Sequence, residues 1–135
     1  MTAYLLDTNH ASPLVTLHHP LRRRVLAAIE ADDTFAINVP ILAETLFGIS
    51  IVPRGIKNRA VWSQVQPQLM CYVPDEGDAV WAVDVQVSLR KQGRQLATID
   101  ALIAVTALRY DLSLLTTDKD FHAVPGLRLE NWRED

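Results

Sequence analysis

Asp7 follows the short apolar run Tyr4-Leu5-Leu6, and Asp118 closes Thr116-Thr117-Asp118 just after Leu112 to Leu115. Glu44 sits among Leu42, Leu46 and Phe47, and Asp100 near the start of a long apolar stretch from Thr98 to Tyr110. A carboxylate in such surroundings loses hydration, and carboxylates brought together repel one another. No Lys or Arg stands within the segments around Asp7, Glu44 or Asp100 to neutralise them. A divalent cation resolves that conflict, and hard oxygen ligands suit Mg²⁺ or Mn²⁺.

Each acid also has a simpler explanation when taken alone. Asp7 can cap a following helix. Asp100 can complement a helix dipole, Asp118 can belong to a turn, and Glu44 can reach solvent. Taken jointly, acids set in or against the most apolar segments are not what caps and turns require. Zinc chemistry lacks its ligands: His18 and His19 are adjacent, His10 and His122 are isolated, and Cys71 is the lone cysteine. The histidines read as surface or internally satisfied groups. Cys71, within Leu69-Met70-Cys71-Tyr72-Val73, reads as a buried small hydrophobe.

The elements that must position these acids alternate. Tyr4-Leu5-Leu6 reads as a buried strand running into a helix start at Asp-Thr-Asn. A helix is expected from Pro20 to Ala31 with Leu21, Val25, Ala28 and Ile29 on one stripe, then a strand from Thr34 to Val39. Pro40 suits the first turn of a helix reaching about Ile51. Another helix runs from about Ile56 to Gln68, a strand lies around Cys71-Tyr72-Val73, and an amphipathic helix spans Glu76 to Lys91 until Gly93 stops it. Thr98 is the expected N-cap of the next helix, which is apolar on nearly every side and therefore buried. Leu112 to Leu115 and Leu127-Arg128-Leu129 complete the strands. The alternation predicts an α/β sandwich with a mostly parallel sheet of roughly five strands.

With 135 residues and no repeat or linker, a single domain over residues 1–135 is expected. The net charge of −3 argues against a general nucleic-acid coating protein. It leaves room for local cationic faces at Arg22-Arg23-Arg24, at Arg54, Lys57 and Arg59, and at Arg90, Lys91 and Arg94, although solvated helix surface is the simpler reading of any one group. The start of the chain lacks a basic n-region, and no apolar run approaches the ~18 residues of a membrane span. The lone cysteine suits a reducing compartment. A cytoplasmic protein is expected.

The same segments resemble a known family. Leu5-Leu6-Asp7-Thr8-Asn9 looks like the opening of PIN-domain nucleases. Ala43-Glu44-Thr45-Leu46-Phe47-Gly48, Thr98-Ile99-Asp100-Ala101-Leu102-Ile103-Ala104 and Leu115-Thr116-Thr117-Asp118-Lys119-Asp120-Phe121 resemble the second, third and fourth motifs. The tail from Pro125 to Trp132 is similar to that of VapC-type toxins of type II toxin–antitoxin systems within the family. The resemblance spans nearly the whole chain in the family's order. It implies an α/β/α sandwich, Mg²⁺ or Mn²⁺, endoribonuclease activity, a homodimer and a small antitoxin partner. It carries a catalytic role to Asp7, Glu44 and Asp100. Family members place the fourth acid at either of two positions in the last loop, so Asp118 fits the commoner form and Asp120 competes with it. Asp7, Asp100 and Asp118 are the expected metal ligands, and Glu44 a ligand to a second metal or a group positioning water; Thr8, Asn9 and Thr116 either orient the carboxylates or a metal-bound water, or serve in caps and turns. An RNA-processing PIN nuclease without a toxin role, or a non-catalytic binding module of the same fold, is the alternative. A haloacid-dehalogenase-type phosphatase wants an acid where Asn9 stands, and a dinucleotide enzyme wants a Gly-rich turn after the first strand; the sequence supplies neither.

Overall fold

The computed structural model describes residues 1–133. Among these residues five strands, β1 (Ala3–Leu6), β2 (Thr34–Asn38), β3 (Met70–Tyr72), β4 (Ser113–Leu115) and β5 (Leu129–Glu130), form one sheet in the order β3-β2-β1-β4-β5. All four pairings are parallel. β1 is central, with Tyr4 opposite Phe35 of β2 and Leu6 opposite Leu115 of β4. Its residues Tyr4, Leu5 and Leu6 are buried, as expected for a parallel strand covered on both faces.

Among the described residues six helices flank the sheet: α1 (Thr8–Ala11), α2 (Pro20–Glu30), α3 (Val39–Ser50), α4 (Gly55–Val65), α5 (Glu76–Lys91) and α6 (Thr98–Arg109). Short 3₁₀ turns follow α1, α4 and β4, at Ser12–Val15, Gln66–Gln68 and Lys119–Ala123. The architecture is the expected α/β/α sandwich. α6 has no polar face, and Ala101, Ile103, Ala104, Val105 and Ala107 are buried in the core. α5 buries Ala82 and Leu89 and packs along α6. Asp75 and Asp78 form a reciprocal capping box at its start, and Arg109 from the end of α6 reaches both carboxylates, at 3.2 and 2.8 Å. No helix among the described residues is long and apolar enough to cross a membrane.

Four local expectations shift. Ala97, not Thr98, is the N-cap of α6; Thr98 is the first helical residue, and its hydroxyl accepts from Gln86 Nε2 at 3.2 Å. Helix α4 stops at Val65 and tightens into the 3₁₀ turn. The fifth strand lies at Leu129–Glu130, because only Leu129 and Glu130 pair with β4. Cys71 is only half-buried: β3 is an edge strand, so one side of it lacks a neighbour.

Candidate active site

The strand order determines where a site can form. The chain runs outward from β1 to β2 and β3, then crosses back to β4 and β5 on the opposite side of β1. The reversal falls between β1 and β4, and crevices at such a point, beyond the carboxyl ends of the strands, are where open parallel sheets place ligands. Asp7 leaves β1 there, its N–H bonded to Leu115 O at 3.0 Å. Thr116, Thr117 and Asp118 leave β4 beside it.

Asp7 is 6% exposed, yet its carboxylate is well supplied with donors. Oδ1 accepts from the Thr8 N–H at 2.8 Å, which makes Asp7 the N-cap of α1. Oδ2 accepts from the Thr116 hydroxyl at 2.7 Å and from Asn9 Nδ2 at 3.2 Å. Burial holds the Asp7 carboxyl above its ordinary value, opposed by the bonds from Thr116, Thr8 and Asn9, while the Asp118 charge pushes it further up. Capping and site-building are thus the same geometry at Asp7. The Thr116 oxygen also accepts from the Asp118 N–H at 3.0 Å, so one hydroxyl joins the ends of β1 and β4.

Asn9 is held from behind. Its Oδ1 lies 2.6 Å from His10 Nδ1 and accepts from the Thr117 N–H at 3.2 Å. His10 is fully buried, and its Nε2 accepts from the Trp132 N–H at 3.0 Å. That bond fixes the proton on Nδ1, where it donates to Asn9. Trp132 packs its ring against Tyr4 and Phe35, at 4.9 and 5.8 Å between centroids, under the Arg24 guanidinium. The segment after the last strand thereby braces α1, which follows the first.

The remaining acids arrive on separate elements. Glu44, exposed on α3, accepts from the Thr8 hydroxyl at 3.2 Å. Asp100 is half-buried in the first turn of α6. Its carboxyl is pushed up to about 6, first by burial and then by the charges of Asp7, Asp118, Glu44 and Asp120. The four carboxylates named from the sequence therefore share one electrostatic neighbourhood. Asp118 caps the turn that follows it, accepting from the Asp120 N–H at 2.9 Å. Its charge raises both Asp7 and Asp100, whereas that of Asp120 raises Asp100 by less than Asp118 does. The ion pairs among the described residues, Arg109 with Asp75 and Asp78 and Arg128 with Asp111, involve none of these acids. Nor are any three His, Cys, Asp or Glu side chains among those residues drawn together in a geometry that would hold an ion.

Two supports escape sequence reasoning. The buried Asn38 caps α3, accepting from the Ile41 N–H at 2.9 Å, and donates across to the Thr106 hydroxyl on α6 at 3.0 Å. One side chain thus links the helices that carry Glu44 and Asp100. The only local signal was an Asn ahead of Pro40, which identifies a cap but not the partner. The second support is His10 with Trp132.

An all-parallel α/β/α sandwich with acids from four segments gathered at its switch point defines the class of molecule. Within that class the chain belongs to the PIN domain family, whose match covers residues 4–127. It is 26% identical over 130 residues to Ribonuclease VapC2 of Rickettsia felis, spanning 96% of this chain and 97% of that one. It is also similar to the crystal structure of VapBC2 from Rickettsia felis bound to a DNA fragment from their promoter. That match has 25% identity and a TM-score of 0.84 over 98% of this chain and 100% of that chain. DNA-bound VapBC from Salmonella typhimurium shares the fold, with a TM-score of 0.81 at 22% identity over 98% of this chain and all of that one.

Proposed function

We propose that the chain is a divalent-metal-dependent endoribonuclease, acting in the cytoplasm as the toxin of a toxin–antitoxin pair. The observation that carries this reading is the convergence of the Asp7, Glu44 and Asp118 charges on a half-buried Asp100 with no ion pair among the described residues to relieve them. Membership of the PIN domain family and the likeness to a ribonuclease support it.

The donor set fits Mg²⁺ or Mn²⁺: it is all carboxylate oxygen, without a nitrogen or sulfur ligand. Mg²⁺ is commonly held through one or two carboxylates together with water and substrate phosphate, not by a closed protein cage, so it needs no three-ligand cluster among the described residues. Asp7, Asp100 and Asp118 would hold the ion, and Glu44 would hold a second or position the attacking water. When bound, the cation supplies positive charge to the phosphorus transition state and makes water more acidic. The rest is the work of the chain. Thr116 and Asn9 fix Asp7 Oδ2, the Thr8 N–H fixes Oδ1, and the Thr8 hydroxyl orients Glu44. Carboxylates prepositioned in this way need little reorganisation when phosphate arrives.

The toxin role rests on the likeness to VapC2 and to VapBC complexes, and a homodimer on exposed apolar side chains. Phe47 on α3 and Ile56 on α4 are 68% and 90% exposed, with Ile51 and Val52 exposed between them; apolar surface of this kind suits a protein partner. Purified protein should cleave RNA, and Asp100→Asn should fold normally yet lose most of that activity. Expression in bacteria should arrest growth, with relief by the same substitution. Cleavage without growth arrest would point to an RNA-processing enzyme, and a folded protein inert on all RNA to a binding module.

A further inference from the structure

Asp100 and Asp120 line a groove of about 380 Å³ together with Gln86, Arg90 and Arg94. The acids belong to the site already described; the arginines do not. Both arginines are exposed, and among the described residues neither is ion-paired, even to the acids in the same groove.

Their positions are fixed by the way α5 ends. Gly93 has φ +75°, a left-handed conformation that costs glycine little. The turn sends the Gly93 N–H to Arg90 O at 3.0 Å and the Arg94 N–H to Leu89 O at 3.0 Å, the paired bonds of a Schellman ending. Arg94 is thereby folded back beside the last turn that carries Arg90. Gln86 Nε2 then donates to Leu96 O at 2.9 Å and to the Thr98 hydroxyl at 3.2 Å, pinning the following link against α5 and the start of α6. The groove is built before any ligand arrives.

Two unpaired guanidinium groups on a fixed turn, opening onto a carboxylate centre, suit a polyanion that must pass close to acids that would otherwise repel it. Guanidinium forks match phosphate oxygens in shape as well as charge. We infer that Arg90 and Arg94 grip the phosphodiester backbone of single-stranded RNA beside the bond to be cut, and that the groove between α5 and α6 is the track by which the strand reaches Asp100. This rests on the ribonuclease reading, which it deepens by naming where the substrate lies. The contacts act on phosphate, so they position the strand without reading its sequence.

The test is steady-state cleavage of a single-stranded RNA oligonucleotide at several salt concentrations. It compares wild type, Arg90→Gln/Arg94→Gln and the charge-matched Arg54→Gln/Lys57→Gln at the start of α4, outside this groove. The groove variant should raise KM about tenfold or more, with kcat within twofold. The dependence of log kcat/KM on log salt should become shallower by about 1.4, from about 0.7 per lost single-strand phosphate contact. The α4 variant should keep the wild-type KM. Equal effects from both double variants would reduce the inference to general charge, and an unchanged KM would overturn it. Weakened capture of an oligoglutamate peptide with unchanged RNA kinetics would also overturn it, assigning the groove to an acidic protein segment. A wild type that cuts no RNA would instead remove the ribonuclease reading, and this inference with it.

Discussion

The Thr116 hydroxyl donates to Asp7 Oδ2 across 2.7 Å of buried space, although the two residues stand 109 positions apart in the chain. The same oxygen accepts from the Asp118 N–H, so this contact sets the spacing between the first and last acids. Thr116→Val keeps the shape and removes the hydroxyl. Asp7 then loses its shortest hydrogen bond, and the Asp118 N–H loses its acceptor. Unfolding in urea should show a loss of about 1–3 kcal/mol, with a clear fall in RNA cleavage. Thr116→Ser should restore most of both. If Thr116→Val matched wild type in activity, the contact would be a turn and nothing more.

The raised carboxyl of Asp100 predicts a pH-dependent stability of the metal-free protein. Its ordinary value is 3.8 and its value in the fold is about 6. Between those limits the folded state keeps a proton that the unfolded state has lost. Stability from this group is therefore fully present below about 3.8 and is lost as pH rises through about 6. Melting temperatures in EDTA from pH 4 to 7.5 should fall across that window, and Asp100→Asn should fall less. Added Mg²⁺ should recover wild-type stability at pH 7.5 more than at pH 5, since a ligand must be ionised to bind. Parallel curves for wild type and Asp100→Asn would contradict this assignment.

Asp118 and Asp120 compete for the fourth position. The Asp118 charge raises both Asp7 and Asp100, and that of Asp120 raises Asp100 by less than Asp118 does. Asp118→Asn should therefore lower cleavage by well over tenfold and Asp120→Asn by much less. An amide at position 118 can still accept from the Asp120 N–H, so the turn should survive. Circular dichroism and activity on the two variants separate the roles, and the reverse order of damage would move the assignment to Asp120.

Asn38 is a structural prediction with a functional consequence. Asn38→Ala removes the α3 cap and the bond to Thr106. Loss of a cap costs about 1 kcal/mol, and the buried Thr106 hydroxyl, which also donates to Leu102 O, loses its donor. A total of about 2 kcal/mol in chemical denaturation is expected, with reduced kcat because Glu44 and Asp100 ride on the two helices it joins. Full activity in a destabilised Asn38→Ala protein would confine the residue to stability.

Much of this molecule was legible in the sequence for a physical reason. Parallel strands covered on both faces are short apolar runs, and in Tyr4-Leu5-Leu6-Asp7 the change to polar residues marks the carboxyl end, where chemistry gathers. The buried α6 betrayed itself by lacking a polar face. What stayed hidden depends on distance. Nothing near His10 announces Trp132, which lies 122 residues away, and nothing near Asn38 announces Thr106. The edges of the sheet were also less legible, because β3 and β5 each have a single neighbouring strand, so burial constrains Cys71 and Leu127 weakly.

The central claim is that a hard divalent cation, held by these carboxylates, is required for RNA hydrolysis. The most direct measurement follows cleavage of RNA by the purified protein after chelation with EDTA and then during titration with Mg²⁺ or Mn²⁺. Activity should vanish on chelation and return with added metal in the wild type, and Asp7→Asn and Asp100→Asn should stay inactive throughout. Full cleavage in EDTA by the wild type, or restoration of either variant to wild-type rates, would contradict the account.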